Sequence, residues 1–363
     1  MTNRLLSFLL YPAFLLSTNS AAILAQNPSF SQFYAMPNTL NPAYVSAVRG
    51  VEVSAGYRRQ WGQLQEGFTT KAATLALPTC RAPLAFGLYA SDVGEPFFGY
   101  RRQEGGVQVG AYGARSKKFS LHLGLQGGIG QHRVDFDRLL FSGQLDPLFG
   151  VQGSPSAFFQ TDGSRVQTFE VGGGVVARGQ LGWRNTDLPA SIGFAVHHLG
   201  GSRDVSFLRL DNTQARYAVL HGSVTTPIVG GLNLKDVLYL NWLGRFEWEG
   251  ALRRGTAGVI AQYTSAHLGL LYQWNRSPVT SRNTHALTVV AGLNFSLGEN
   301  TQCALQYAFD GTLSGLNQSA TGGAHELILT FTFPPSCVFG TPTSRGKTDC
   351  YHFAGKGYQP FLN

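Results

Sequence analysis

The chain has 363 residues and a formal charge of +8. Asp, Glu, Lys and Arg make up 13% of it, about half the ~25% usual in soluble domains, and glycine, at 45 residues, stands well above its usual ~7%. The cations are scattered rather than run together, which argues against a nucleic-acid binder. Beyond the first residues, no apolar run of about 18 residues offers a membrane-spanning helix.

The first residues, MTNRLLSFLLYPAFLLSTNSAAILA (1–25), place one cation, Arg4, before an apolar stretch from Leu5 to Leu16 and a small-residue exit at Ala25. That order is the pattern of a cleaved signal peptide, and it sends the remainder out of the cytoplasm. A permanent membrane helix fits the length and flanks less well. Residues 26–48 follow as a leader rich in proline and aromatic residues. Pro28, Pro37 and Pro42 each remove a backbone donor and push their predecessors toward extended geometry, so the leader is expected to be extended rather than helical. Phe30, Phe33, Tyr34 and Tyr44 still give it much to bury. Two readings stand: aromatics packed beneath or inside the mouth of a barrel, or a disordered tail.

From residue 49 to 334 the dominant period is two. In FSLHLGLQGGIG, Phe119, Leu121, Leu123, Leu125 and Ile129 share one face, with Ser120, His122, Gly124, Gln126 and Gly128 on the other. Successive strand side chains point to opposite faces, so this segment has one oily and one polar side. TQCALQYAF sets Cys303, Leu305, Tyr307 and Phe309 against Gln302, Ala304, Gln306 and Ala308. HELILTFTF sets Leu327, Leu329, Phe331 and Phe333 against Glu326, Thr330 and Thr332. VLYLNWLGRFEWEG sets Leu238, Leu240, Trp242, Phe246 and Trp248 against Asn241, Arg245, Glu247 and Glu249. About fourteen such segments begin near Arg49, Gly67, Ala82, Gln103, Phe119, Val166, Ala190, Ala215, Val237, Arg254, His267, Thr284, Thr301 and Gly323. Most have the ~9–11 residues a tilted strand needs to cross a bilayer. The expected fold is all-β: a closed antiparallel transmembrane β-barrel of about fourteen strands, in the outer membrane of a Gram-negative bacterium, with twelve or sixteen strands also open.

The connections alternate as well. Residues 135–165, 200–214 and 310–322 form long odd-numbered connections, whereas 78–81, 116–118 and 298–300 are tight even-numbered ones. Barrels of this kind put long loops outside and short turns in the periplasm, so both termini, including the 335–363 tail, are expected on the periplasmic side. By strand parity, Glu52, Arg58, Glu170, Arg178, Arg245, Glu247, Glu249 and Glu326 point inward. A ring of one sign would suit an ion-selective pore; mixed signs suggest paired charges that fill or plug the lumen. The first long loop holds Leu139, Leu140, Phe141, Leu148, Phe149, Phe158 and Phe159 on a connection that should face water. Such a cluster reads as a partner-binding surface or as a plug folded inward.

Chemistry-bearing side chains are sparse. Cys337 and Cys350 lie twelve residues apart, with Gly340, Pro342 and Gly346 between them to turn the chain. A bridge there would be worth about 3 kcal/mol in the loop-entropy model, in a compartment that permits disulfides. Cys303 reads as a small apolar residue on the lipid face and Cys80 as a turn residue, and the four cysteines have no paired zinc spacing. His197 and His198 are adjacent, so within a strand they face opposite ways, one toward the lumen and one toward the interface. Asp135 and Asp137 lack the acidic spacing and glycine of a calcium loop. No nucleophile elbow, phosphate loop or dinucleotide fingerprint occurs in a fitting context, so no catalytic residue, metal or cofactor is expected. A membrane-embedded lipid hydrolase has no motif behind it.

SQFYAMPNTLNPAY in the leader, YRRQW at Tyr57 to Trp61, LPASIGFAVHHLG followed by ARYAVLHG, and the closing GAHELILTFTF keep their order along the chain. Together they resemble the PorP/SprF family of outer-membrane proteins of the type IX secretion and gliding-motility machinery. The resemblance implies a fourteen-stranded, non-enzymatic barrel that anchors or assists the export of a particular secreted surface protein, often an adhesin. Other type IX components, periplasmic or lipoprotein subunits among them, would be its further partners in the outer-membrane lipid. Relatives commonly stop soon after the last strand, so the resemblance does not say what Cys337 and Cys350 do. The other functional reading is an outer-membrane channel or hydrophobic-solute transporter of similar strand count.

Overall fold

A computed structural model describes residues 29–48, 50–63, 67–79, 83–95, 99–115, 119–135, 144–146, 148–151, 165–183, 186–200, 215–228, 238–276, 283–298, 301–314 and 321–333. The segment expected to be a signal peptide, the tail with Cys337 and Cys350, Cys80, Asp137, and Leu139, Leu140, Phe141, Phe158 and Phe159 lie outside the described residues.

Each alternating segment is a strand. The first five are β1 (Glu52–Gln60), β2 (Phe68–Pro78), β3 (Leu84–Glu95), β4 (Tyr100–Arg115) and β5 (Phe119–Val134). After the first long connection come β6 (Arg165–Trp183), β7 (Thr186–His197), β8 (Tyr217–Ile228), β9 (Leu238–Glu249) and β10 (Leu252–Tyr263). The last four are β11 (Ala266–Arg276), β12 (Thr284–Leu297), β13 (Thr301–Thr312) and β14 (Ala324–Thr332). Neighbours pair antiparallel, and β1 pairs with β14 from Glu52 opposite Thr332 to Gln60 opposite Ala324, which closes the barrel. Closure satisfies every strand edge internally, the condition for crossing a bilayer with strands.

The outer face carries the exposed apolar side chains, among them Leu125 at 69%, Ile129 at 66% and Phe169 at 75%. In water a wall of this kind would be a liability; in lipid it is the solvent-matched surface. Among the described residues, no helix is long and apolar enough to cross a membrane. The wall is uneven: β4 and β5 have 16 residues each and β6 has 19, against 9 in β1 and in β14.

Four expectations need correction. The strand expected near Ala190 starts at Thr186, because Pro189 takes a ladder position opposite Gln180 close to the turn, where one missing donor costs little. Asp310, assigned above to a loop, is a buried residue of β13. The leader is not extended: it forms a helical turn, α1 (Pro37–Leu40), and a 3-10 turn over Pro42–Ser46, each opening on a proline. A proline at the first helical position gives up a donor that would have no intrahelical partner, so it starts these turns instead of forbidding them. Cys303 shares the outward parity of Leu305 and Tyr307 but is only 3% exposed; its cross-strand neighbours are Phe295 and Phe331.

Candidate functional site

The leader occupies the barrel interior. Phe30, Phe33, Tyr34, Met36 and Leu40 are buried in one apolar cluster with inward side chains of the wall, among them Val219, Leu243, Ile260, Leu271, Val290 and Ile328. Those six come from β8 to β12 and from β14, and they interrupt the polar inner face with an aliphatic belt. Tyr44 and Ala43 pack with Val176 in a second cluster. Burial, and then the Glu326 charge, pushes the Tyr34 phenol well above its ordinary range, so it sits there uncharged.

Ser31 is the hub of the first anchor. Its hydroxyl donates to Asp310 at 2.6 Å and accepts from Arg58 at 2.7 Å and from Gln273 at 2.8 Å. Its backbone N–H donates to Glu326 at 2.6 Å, and that of Gln32 donates to the second oxygen of the same carboxylate at 3.1 Å. Arg58 pairs with Asp310 at 2.7 Å and also with Glu326. Thr288 donates to Asp310 as well. Two buried carboxylates thus meet one guanidinium and four further donors, the condition under which a buried charge is tolerated.

A second charged group lies beside it. Arg245 donates to the carbonyl of Phe30 at 3.1 Å and its guanidinium lies 4.7 Å from the centre of the Phe33 ring. Glu247 pairs with Arg254 at 3.2 Å and Arg245 at 3.5 Å, and accepts from Tyr217. Arg254 reaches the Ser29 hydroxyl. On the tall wall, Arg102 pairs with Glu104, and Glu170 with His198.

The second anchor depends on shape. Asn41 caps the 3-10 turn by accepting from the Ala43 N–H at 3.0 Å. Its amide donates to the carbonyls of Val175 and Phe194, at 3.1 and 3.3 Å, which are opposite each other across β6 and β7. The wall is glycine where the leader backbone passes. A Cβ on Gly124 would lie 2.2 Å from the Ala43 nitrogen, and one on Gly174 would lie 2.1 Å from the Asn41 side-chain oxygen. Gln108 donates to the Asn38 carbonyl at 2.9 Å, and Arg178 to the Ala47 carbonyl at 3.1 Å.

The sequence-derived site residues distribute as follows. Glu52, Glu170, Arg245, Glu247, Glu249 and Glu326 are buried on the inner face, and Arg58 and Arg178 reach the leader from it. Leu148 and Phe149 are 88% and 75% exposed, on the turn between two short paired segments, Leu145–Asp146 and Gly150–Val151. His197 and His198 do not face opposite ways as a strand would require. Both are buried, because the strand ends at His197 and a φ of +60° at His198 swings the second ring back inward to Glu170. Among the described residues, no group of three or more His, Cys, Asp or Glu side chains is placed to hold a metal ion. Sequence reasoning missed Ser31, Asn41, Arg102, Glu104, Asp310 and His221, whose two ring nitrogens meet the Asn41 amide at 3.2 Å and the Tyr44 hydroxyl at 3.4 Å. The available signal was the inner belt: Ile328 between Glu326 and Thr330 is out of place in a water-filled lumen.

Among solved structures, the chain is similar to a Pseudomonas aeruginosa FadL homologue at 14% identity, over 82% of this chain and 93% of that one, with a TM-score of 0.44. It is also similar to the Pseudomonas putida toluene transporter TodX (11%, 86% and 100%, TM-score 0.42) and the Ralstonia pickettii toluene transporter TbuX (10%, 82% and 92%, TM-score 0.43). No curated protein matches. The family described as type IX secretion system membrane protein PorP/SprF matches over residues 22–331. The chain therefore belongs to the PorP/SprF family of type IX secretion and is a β-barrel of the Gram-negative outer membrane.

Proposed function

We propose that this barrel is a closed, non-enzymatic anchor or export assistant for a specific secreted surface protein, an adhesin, and that it works through its rims rather than its lumen. The observation that carries the reading is the leader itself. Its backbone and side chains fill the interior and are fixed at both ends by hydrogen bonds to the wall. A path for solute would have to break that set.

On this reading the long-connection rim faces outward and offers the apolar loop set, Leu139, Leu140, Phe141, Leu148, Phe149, Phe158 and Phe159, to the secreted partner. The short-turn rim, where the leader enters β1, faces the periplasm and other type IX components. The residue 1–25 segment is removed on export, and the tail from 335 to 363 stays periplasmic, with a Cys337–Cys350 bridge if the two thiols meet.

Deleting the gene tests this. The expected outcome is loss of one or a few proteins from the cell surface, by surface-shaving proteomics, with small-solute permeability unchanged. An intact surface proteome together with lost uptake of a hydrophobic solute would overturn it in favour of the transporter reading.

A further inference from the structure

The tall wall carries a stepped outer face that the leader and the loops do not explain. Its first rank is small and apolar: Ala73, Ala90, Gly105, Ile129 and Phe169 are consecutive cross-strand partners from β2 to β6. Two residues nearer the long-connection rim lies a second rank, Lys71, Asp92, Gln103, Gln131 and Gln167, again consecutive partners. Between these ranks runs a groove of about 710 Å³ that both of them line. One bank is apolar and the other carries three amides, an ammonium and a carboxylate, a change of character suited to the depth at which hydrocarbon gives way to headgroups.

One step further out is a third rank. Arg101, Arg133 and Arg165 are direct cross-strand partners on β4, β5 and β6, and all three are exposed. Like charges set opposite each other on neighbouring strands repel, so this row costs stability unless an anion occupies it. Among the described residues, Asp92 is the one carboxylate paired with the row, through Arg101 at 2.7 Å. With Lys71 the face carries four cations against that one anion.

We propose that this face is a docking site for outer-leaflet lipopolysaccharide. A proximal acyl chain lies along the Ala73-to-Phe169 bank, the sugar hydroxyls meet the glutamine amides, and headgroup phosphates meet the arginine row. Guanidinium forks match phosphate oxygens two at a time, and a row of three at the cross-strand spacing suits a headgroup with more than one phosphate. The inference rests on the outward orientation of the long-connection rim taken in the proposed function.

The test uses the purified full-length barrel in detergent, with rough-type lipopolysaccharide and the same material dephosphorylated as probes, read by calorimetry. A near-surface cation contributes about fivefold to affinity for an anionic surface, so Arg101→Gln/Arg133→Gln/Arg165→Gln is expected to lose on the order of 100-fold. The dephosphorylated probe should bind wild type as weakly as the intact probe binds that variant. Arg101→Lys/Arg133→Lys/Arg165→Lys keeps the charge but not the fork, and is expected to lose about tenfold or less. Should the glutamine variant fail to fold, by loss of heat-modifiable gel mobility, the lysine variant and the dephosphorylated probe still decide. Equal affinity of wild type for both probes overturns the proposal. So does a glutamine variant that keeps lipopolysaccharide but loses an acidic secreted protein, which would make the face a protein site. A deletion strain with an intact surface proteome, beside a purified barrel that discriminates the two probes, sinks the anchoring role and leaves the lipid site standing.

Discussion

From Ser29 to Gln32 the leader is held mainly by charged side chains; from Asn41 to Ala47 it lies against bare glycine backbone, tied by the Asn41 amide and by a single arginine, Arg178, at Ala47. The first part meets Arg58, Asp310, Glu326, Arg245 and Arg254, contributed by β1, β9, β10, β13 and β14. The second part lies against Gly124 and Gly174 on β5 and β6, with Asn41 bonded to β6 and β7. Charge is long-ranged and adjustable, whereas a backbone in van der Waals contact with glycine tolerates no added atom. The two halves should therefore fail differently, and independently.

The largest effect is expected at Arg58. Arg58→Met leaves Asp310 and Glu326 buried without their cation, which typically costs about 3–5 kcal/mol. The unfolding midpoint in denaturant, followed in detergent micelles, measures it. Hydrogen exchange localises it, with faster exchange at the amides of Ser31 and Gln32 and little change in Ala43 to Ala47. A loss below about 1 kcal/mol would mean that the four other donors satisfy the carboxylates without the ion pair.

Gly124→Val should act on the other half. The new Cβ would sit 2.2 Å from the Ala43 nitrogen, and the partner is backbone, so the leader must move. Overpacking of this kind costs about 1–3 kcal/mol. Exchange should rise from Ala43 to Ala47 and stay slow at Ser31 and Gln32. Release of both halves together would show the leader to be one cooperative unit and dissolve the distinction.

The same contrast explains what was legible in the sequence. The strands were readable because each strand residue faces one of two sides of the wall, and a period of two records the choice directly. FSLHLGLQGGIG needed no partner to be understood. The leader needed one. Ser31 and Asp310 are 279 positions apart, and nothing local in either sequence neighbourhood announces the bond. Asn38 to Tyr44 read as extended because proline was weighed as a breaker, when its place at the head of each turn makes it a starter. The mixed signs of the inward charges suggested a filled interior, since buried charge must be matched.

The smallest of these effects belongs to the junction. Asn41 ends the charged half and starts the shaped one: its oxygen caps the Pro42–Ser46 turn and its amide bridges Val175 and Phe194. Asn41→Ala removes the cap, typically worth about 1 kcal/mol, and leaves the buried Ala43 N–H without its acceptor and His221 without the Asn41 amide. The expected loss is about 1–2 kcal/mol, with exchange rising at Ala43 first. Asn41→Asp sharpens the reading, because the carboxylate keeps the cap and cannot donate to the carbonyls. If the aspartate variant is as stable as wild type, the cap is what matters. If it falls below the alanine variant, the amide's bonds to the wall hold the junction, and the carboxylate is being pressed against carbonyl oxygens it repels.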